Sequence, residues 1–101
     1  MLLEANKLTN DFLTSSGGLV IAKEIVSRIR DNSFERIEVS FEYVESVTPS
    51  FINGAFLYVI DLYGETIFRE RVKVIKASEQ VANQIRNSVT KYIEYRNRKI
   101  G

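Results

Sequence analysis

Residues 39–57 read VSFEYVESVTPSFINGAFL, and this stretch decides the fold class: an alternating strand runs through a linker and, at the chain's single proline, into an apolar helix. Ile37, Val39 and Phe41 alternate with Glu38 and Ser40. A period of two predicts a strand over 34–41, beginning at Phe34, with one face buried and the other wetter. Glu42 to Thr48 forms the linker. Pro49 stands where a proline is tolerated, at a helix entrance, and the Ser50 hydroxyl beyond it is placed to cap exposed N–H groups. Ile52, Ala55, Phe56, Val59, Ile60 and Tyr63 then recur at helical spacing. They predict a helix over 50–62 with a broad buried face, closed by Gly64.

The flanks extend the pattern. Upstream, 15–31 reads as a helix capped by Ser15 or Ser16, with Gly17 and Gly18 near its start and a stripe of Leu19, Ala22, Ile25 or Val26, and Ile29. Asp31-Asn32-Ser33 ends it. Downstream, 65–70 is open between a loop and a strand start. Arg71 to Lys76 alternates again, with Val72 and Val74 on one face. Ser78 caps a last helix whose stripe is Val81, Ile85, Val89 and Tyr92 or Ile93. Near the start, Leu2, Leu3 and Ala5 suggest one short extended piece and Phe12-Leu13 another, with a turn at Asn10-Asp11.

Strands separated by helices of roughly 10–15 residues predict an α/β domain: a mostly parallel sheet, right-handed crossovers and helices largely on one face. Glu38 and Glu42 on one strand would then pair with Arg71 and Lys73 on the next. At 101 residues the chain fits a single domain over 1–101, with 1–11 and 95–101 expected to be loosely ordered.

Composition removes several function classes. There is no cysteine, hence no disulfide, thiolate nucleophile or sulfur-bound metal, and no histidine, the commonest general acid–base at neutral pH. Formal charge is +1, with 14 basic and 13 acidic residues, so charge gives no general attraction to nucleic acid or membrane. No apolar run approaches the roughly 20 residues of a membrane span. The start MLLEANKL lacks a signal peptide's basic and apolar regions. The expectation is a cytoplasmic protein and not an enzyme.

The segment VSFEYVESVTPSFINGAFL resembles the STAS-like domain family, small bacterial proteins related to anti-sigma-factor antagonist (STAS) domains. The likeness lies in a strand ending in an aromatic and an acidic residue, then V-E-S-V-x-P-S-F entering an apolar helix. A Ser-rich turn at 15–18, a basic strand at 71–76 and a closing amphipathic helix agree with it. The resemblance implies a single STAS-like α/β domain that regulates by binding a partner protein, by analogy an ATP-binding kinase-like or ATPase protein. A homodimer is compatible with it. Set without gaps against the D-S-S-G turn of STAS domains, the phosphorylated serine falls on Pro49 and only the second serine is matched, by Ser50. Thr48 replaces the Asp and Phe51 the Gly, and Ile52-Asn53-Gly54 stands where relatives carry an acidic pair. The family's phosphorylation switch therefore does not transfer directly.

Residues assigned to partner contact are Ser46, Thr48, Ser50, Phe51, Asn53 and Gly54, with Ser50 and Thr48 the hydroxyls open to phosphorylation. The alternative is a small anion or nucleotide bound at the rim of strand ends by Ser15, Ser16, Gly17 and Gly18, since a Gly-rich helix entrance presents backbone N–H groups. No Walker lysine follows these residues and the G-x-G-x-x-G spacing is missing, so a capped helix start with flexible glycines is the better reading of them. Glu35, Glu38, Glu42 and Glu45 read as a solvated face, because Glu38 and Glu42 on a strand lie about 13 Å apart. Arg96, Arg98 and Lys99 with Tyr92 and Tyr95 read as a solvated helix end rather than a nucleic-acid site. No residue is assigned to catalysis, to a metal or to a cofactor.

Overall fold

β2 (Ile37–Ser40) is the middle strand of a three-stranded sheet in the order β1-β2-β3, between β1 (Leu2–Glu4) and β3 (Val72–Ile75), and both pairings are parallel. The computed structural model describes residues 1–31 and 35–100, the last by its backbone alone. Asn32, Ser33 and Phe34, where the first long helix was expected to end and the strand to begin, lie outside the described residues. Register sets Leu3, Val39 and Val74 side by side and Ile37 beside Val72. Because side chains alternate, these five share one apolar face. The other face carries Leu2, Glu38 and Lys73, with Leu2 and Lys73 exposed. The helices therefore gather on the apolar side, as the alternation predicts. Glu38 stands opposite Lys73. The second expected charge pair, Glu42 with Arg71, does not form: Glu42 meets Lys76 at 3.9 Å, beyond the strand, while Arg71 Nε donates to the Glu35 carbonyl at 3.0 Å.

The remaining elements are α1 (Ala5–Leu8), α2 (Ser15–Arg30), α3 (Pro49–Ile52), a π segment (Asn53–Leu57), α4 (Tyr58–Arg71) and α5 (Glu79–Ile100). Regular elements reach both ends of the described chain. Leu3 and Ala5 are buried, so β1 belongs to the core. α5 continues as helix to Ile100, and the Arg96 side chain near its end donates through Nη1 to the Ile60 carbonyl at 2.8 Å. Phe12 and Leu13 are not a strand. Residues 65–70, left open by sequence, are helical and belong to the second half of α4; Gly64 (φ 87°, ψ 168°) breaks the helix before them. That backbone conformation is one only glycine adopts readily.

The apolar faces follow the stripes with one rotation. In α2 the buried residues are Gly17, Gly18, Ile21, Ala22 and Ile25, so the stripe centres on Ile21 rather than Leu19. In α5 Val81, Ile85, Val89 and Ile93 point inward. Along 51–60 two rows are buried, Phe51-Ala55-Val59 and Ile52-Phe56-Ile60. A strict spacing of four outruns the 3.6 residues of an α-helical turn, and the wider π turn at Asn53–Leu57 keeps both rows on the core. Phenylalanines link the layers: Phe12 to Phe51 at 5.4 Å between centroids and Phe41 to Phe56 at 6.1 Å are tilted pairs, while Phe51 to Phe41 at 6.3 Å and Phe56 to Phe68 at 5.9 Å meet edge to face.

α2 and the π segment meet backbone to backbone. A Cβ on Gly18 would lie 2.1 Å from the Phe51 carbonyl oxygen and 2.7 Å from the Ala55 nitrogen; one on Gly54 would lie 2.2 Å from the Ser15 carbonyl oxygen. No side chain fits there, and the obstacle is main chain that cannot rotate away. Gly18→Ala and Gly54→Ala are expected to lose about 3 kcal/mol, the upper end of overpacking costs. Gly64→Ala meets no atom within 4 Å yet should lose about 1–3 kcal/mol through its positive φ alone. Urea unfolding of the three variants checks both statements.

Candidate functional site

Two helix entrances lie side by side at the carboxyl ends of the strands, and threonines hold them. Thr14 caps α2: its hydroxyl accepts from the Gly17 N–H at 3.3 Å and donates to the Asp11 carboxylate. Asp11 Oδ1 also accepts from the N–H groups of Leu13 and Thr14 at 3.0 and 3.1 Å. The Thr14 hydroxyl first, then these two N–H groups, hold the Asp11 carboxyl below its ordinary value, so it stays ionised beside the positive end of α2. Thr48 caps α3, accepting from the Phe51 N–H at 3.1 Å while donating to the Leu13 carbonyl at 2.6 Å. The Thr48 N–H reaches the Phe12 carbonyl at 3.3 Å. One hydroxyl thus ties the second helix entrance to the strap that leads into the first.

These contacts correct three assignments. The caps are Thr14 and Thr48, not Ser15, Ser16 or Ser50. Phe51 is fully buried between Phe12 and Phe41, so it is a core residue and touches no partner directly. Gly17 and Gly18 are buried by close contact with Asp11 and with α3 and the π segment, and their N–H groups bond Thr14. They offer no open cradle for an anion.

Of the two hydroxyls considered for phosphorylation, the Thr48 hydroxyl is engaged on both sides. Ser50 is exposed and makes no side-chain hydrogen bond among the described residues. Ser46 is exposed on a linker pinned by buried Val44 and Val47.

The structure joins the two halves of the predicted site. Ser15 and Ser16, at the start of α2, and Asn53 and Gly54, in the π segment, line one groove of 520 Å³. Leu19 and Leu57 form its apolar floor, and Tyr58, Asp61 and Tyr92 its far wall. The Tyr92 hydroxyl donates to the Asp61 carboxylate. That bond, then partial burial and the Asp61 charge, raise the Tyr92 phenol above its ordinary value. Tyr95 stacks on Tyr92 at 6.3 Å, with Lys99 Nζ 5.4 Å above its ring. Of the two tyrosines that the sequence groups with the basic tail, Tyr92 lines this groove and Tyr95 packs on Tyr92.

Sequence reasoning missed Tyr58, Asp61 and Tyr43. Tyr58 lies off the apolar stripe of its helix, and a large aromatic off the stripe was the available signal. Tyr43 is 83% exposed at the tip of the turn closed by Val44 N–H to Phe41 C=O, 3.1 Å. Its φ is 69°, a conformation a bulky residue adopts only at a cost. Nothing in the residue order signals that.

A family model described as the STAS-like domain of unknown function (DUF4325) matches residues 22–82. The chain belongs to this family. No curated protein and no solved structure matches it. The match to the STAS-like domain starts inside α2 and stops in the first turn of α5, so it spans β2, α3, the π segment, α4 and β3. It takes in Asn53, Gly54, Tyr58 and Asp61, while Ser15, Ser16 and Tyr92 lie outside it. Among the described residues no helix is long and apolar enough to cross a membrane, and no cluster of carboxylates has the geometry of a metal site.

Thr48 gives the local test. Thr48→Ala should destabilise the STAS-like domain by about 0.5–2 kcal/mol in urea unfolding, the measured range for lost helix caps. Thr48→Ser, which keeps the hydroxyl, should recover most of that loss.

Proposed function

We propose that this STAS-like domain is a non-enzymatic regulatory or adaptor module that binds a partner protein across the groove between the start of α2 and the π segment. The observation that carries this reading is the convergence of Ser15 and Ser16 with Asn53 and Gly54 around a floor of Leu19 and Leu57, walled by the exposed Tyr58. An apolar floor, tyrosines and a polar rim are the composition of protein-recognition surfaces. The strained, exposed Tyr43 on the adjoining linker supports the reading, since a bulky residue kept at positive φ suggests selection for something other than stability. By the family resemblance the partner is an ATP-binding kinase-like or ATPase protein in the cytoplasm, and Ser50 is the hydroxyl at which phosphorylation would control the contact.

A small anion or nucleotide suits this groove less well. Its lining holds Asp61 and no Lys or Arg, and the ionised Asp11 already sits at the entrance of α2. A phosphate there would meet like charge. Among the described residues no nucleophile, base and orienting group stand in hydrogen-bonding array, and the chain contains neither His nor Cys.

The test uses the immobilised full chain and the kinase-like ATPases of its source cell. Wild type should retain one of them. Asn53→Arg combined with Tyr58→Ala should weaken retention by about tenfold or more, the scale of losing an interface hot spot, with unfolding midpoint unchanged. Glu45→Lys, exposed but outside the groove, should bind as wild type. Equal retention by the groove variant would reject the surface. Phe51→Ala is unsuitable as a binding probe, because it reports on the core.

A further inference from the structure

The open edge of the sheet presents a second surface with different chemistry. β3 is an outer strand, paired with β2 on one side and with no other strand among the described residues. In a parallel ladder, alternate residues of an edge strand turn N–H and C=O toward the neighbour and the others turn away. The Ile75 carbonyl accepts from the Phe41 N–H at 3.0 Å. Ile75 and Lys73 therefore face β2, and the N–H and C=O of Val74 point out of the sheet. No described residue outside the sheet bonds to them. Unpaired edge groups of this kind template a further strand.

Beneath this edge, between β3, the second half of α4 and α5, runs a groove of 340 Å³. Val72, Val74, Ile85 and Val89 give it an apolar floor, and its charged residues are Arg69, Lys76 and Arg86, with no Asp or Glu in the lining. In a chain with 14 basic and 13 acidic residues this is a one-sided patch. Arg69 is held by Glu65 at 2.8 Å and Lys76 lies 3.9 Å from Glu42. Arg86 meets the neutral side chain of Asn83, at 2.9 Å, and no carboxylate among the described residues. The same cations oppose pairing with a second copy through this edge, since like charges facing across strands are destabilising.

We propose that the β3 edge binds an extended acidic and apolar segment of a partner protein as a fourth strand. Main-chain bonds to Val74 hold the segment. Its apolar side chains at alternate positions enter the groove against Ile85 and Val89, and its carboxylates meet Arg86 and Lys76. This surface is separate from the groove at Asn53 and Tyr58, so either assignment can fail alone.

The probe is an acetylated peptide of alternating glutamate and valine, titrated into the isotope-labelled full chain with amide hydrogen exchange as the readout. Exchange at Val74 should slow by about tenfold or more at saturation. Arg86→Glu should weaken binding by about tenfold, and the corresponding lysine–valine peptide should prefer that variant. An N-methylated peptide, lacking main-chain donors, should not bind. The proposal is overturned by absent binding, by peptide binding that leaves Val74 exchange unchanged, or by a groove that takes dodecanoate and no peptide.

Discussion

Everything on the working side of this domain depends on one close approach, the main chain of α2 against the main chain of α3 and the π segment at Gly18 and Gly54. The approach is possible only because neither residue carries a Cβ. It brings the entrance of α2 close enough to α3 for Thr48 to reach the Leu13 carbonyl. It also seats Phe51 between Phe12 and Phe41, at the head of the phenylalanine series that continues through Phe56 to Phe68. Side chains at either glycine would separate the two helices, opening the cap and the aromatic contacts together.

The same approach makes the surface. Ser15 and Ser16 belong to one helix and Asn53 and Gly54 to an element far away in sequence; they share a groove because the glycines let their backbones touch. The π turn contributes as well, since it keeps Phe51, Ala55 and Val59 inward while Asn53 and Tyr58 remain exposed. Core geometry and recognition surface are thus two sides of one crossing. The β3 edge lies elsewhere, and its character comes from the sheet ending at Val74 and from the cations of α4 and α5.

Much of this was legible in the residue order. The period-two run at Ile37–Ser40 and the alternation around Val72 and Val74 marked two parallel strands, because burial on one face leaves a direct imprint on sequence. The stripes of α4 and α5 were legible for the same reason, as was the helix stop at Gly64. The caps were misplaced by one or two residues: Thr14 stands beside Ser15 and Thr48 near Ser50, and either type of hydroxyl caps equally well, so only backbone geometry chooses. Phe51 was read as a surface contact because it follows a Pro-Ser turn, whereas the strap at Phe12 covers it, a contact between distant residues. The two halves of the groove were each visible as hydroxyl- and glycine-rich helix entrances. Their union was not, since it rests on the crossing at Gly18 and Gly54, and no local pattern encodes which glycine meets which backbone.

The most direct test of the account is a solution NMR measurement of through-space contacts at that crossing. The account predicts strong cross-peaks from the Gly18 α-protons to the Ala55 amide and from the Gly54 α-protons to the Leu19 amide. Resolved signals for all four residues without those cross-peaks would contradict it, and the shared groove would fall with it.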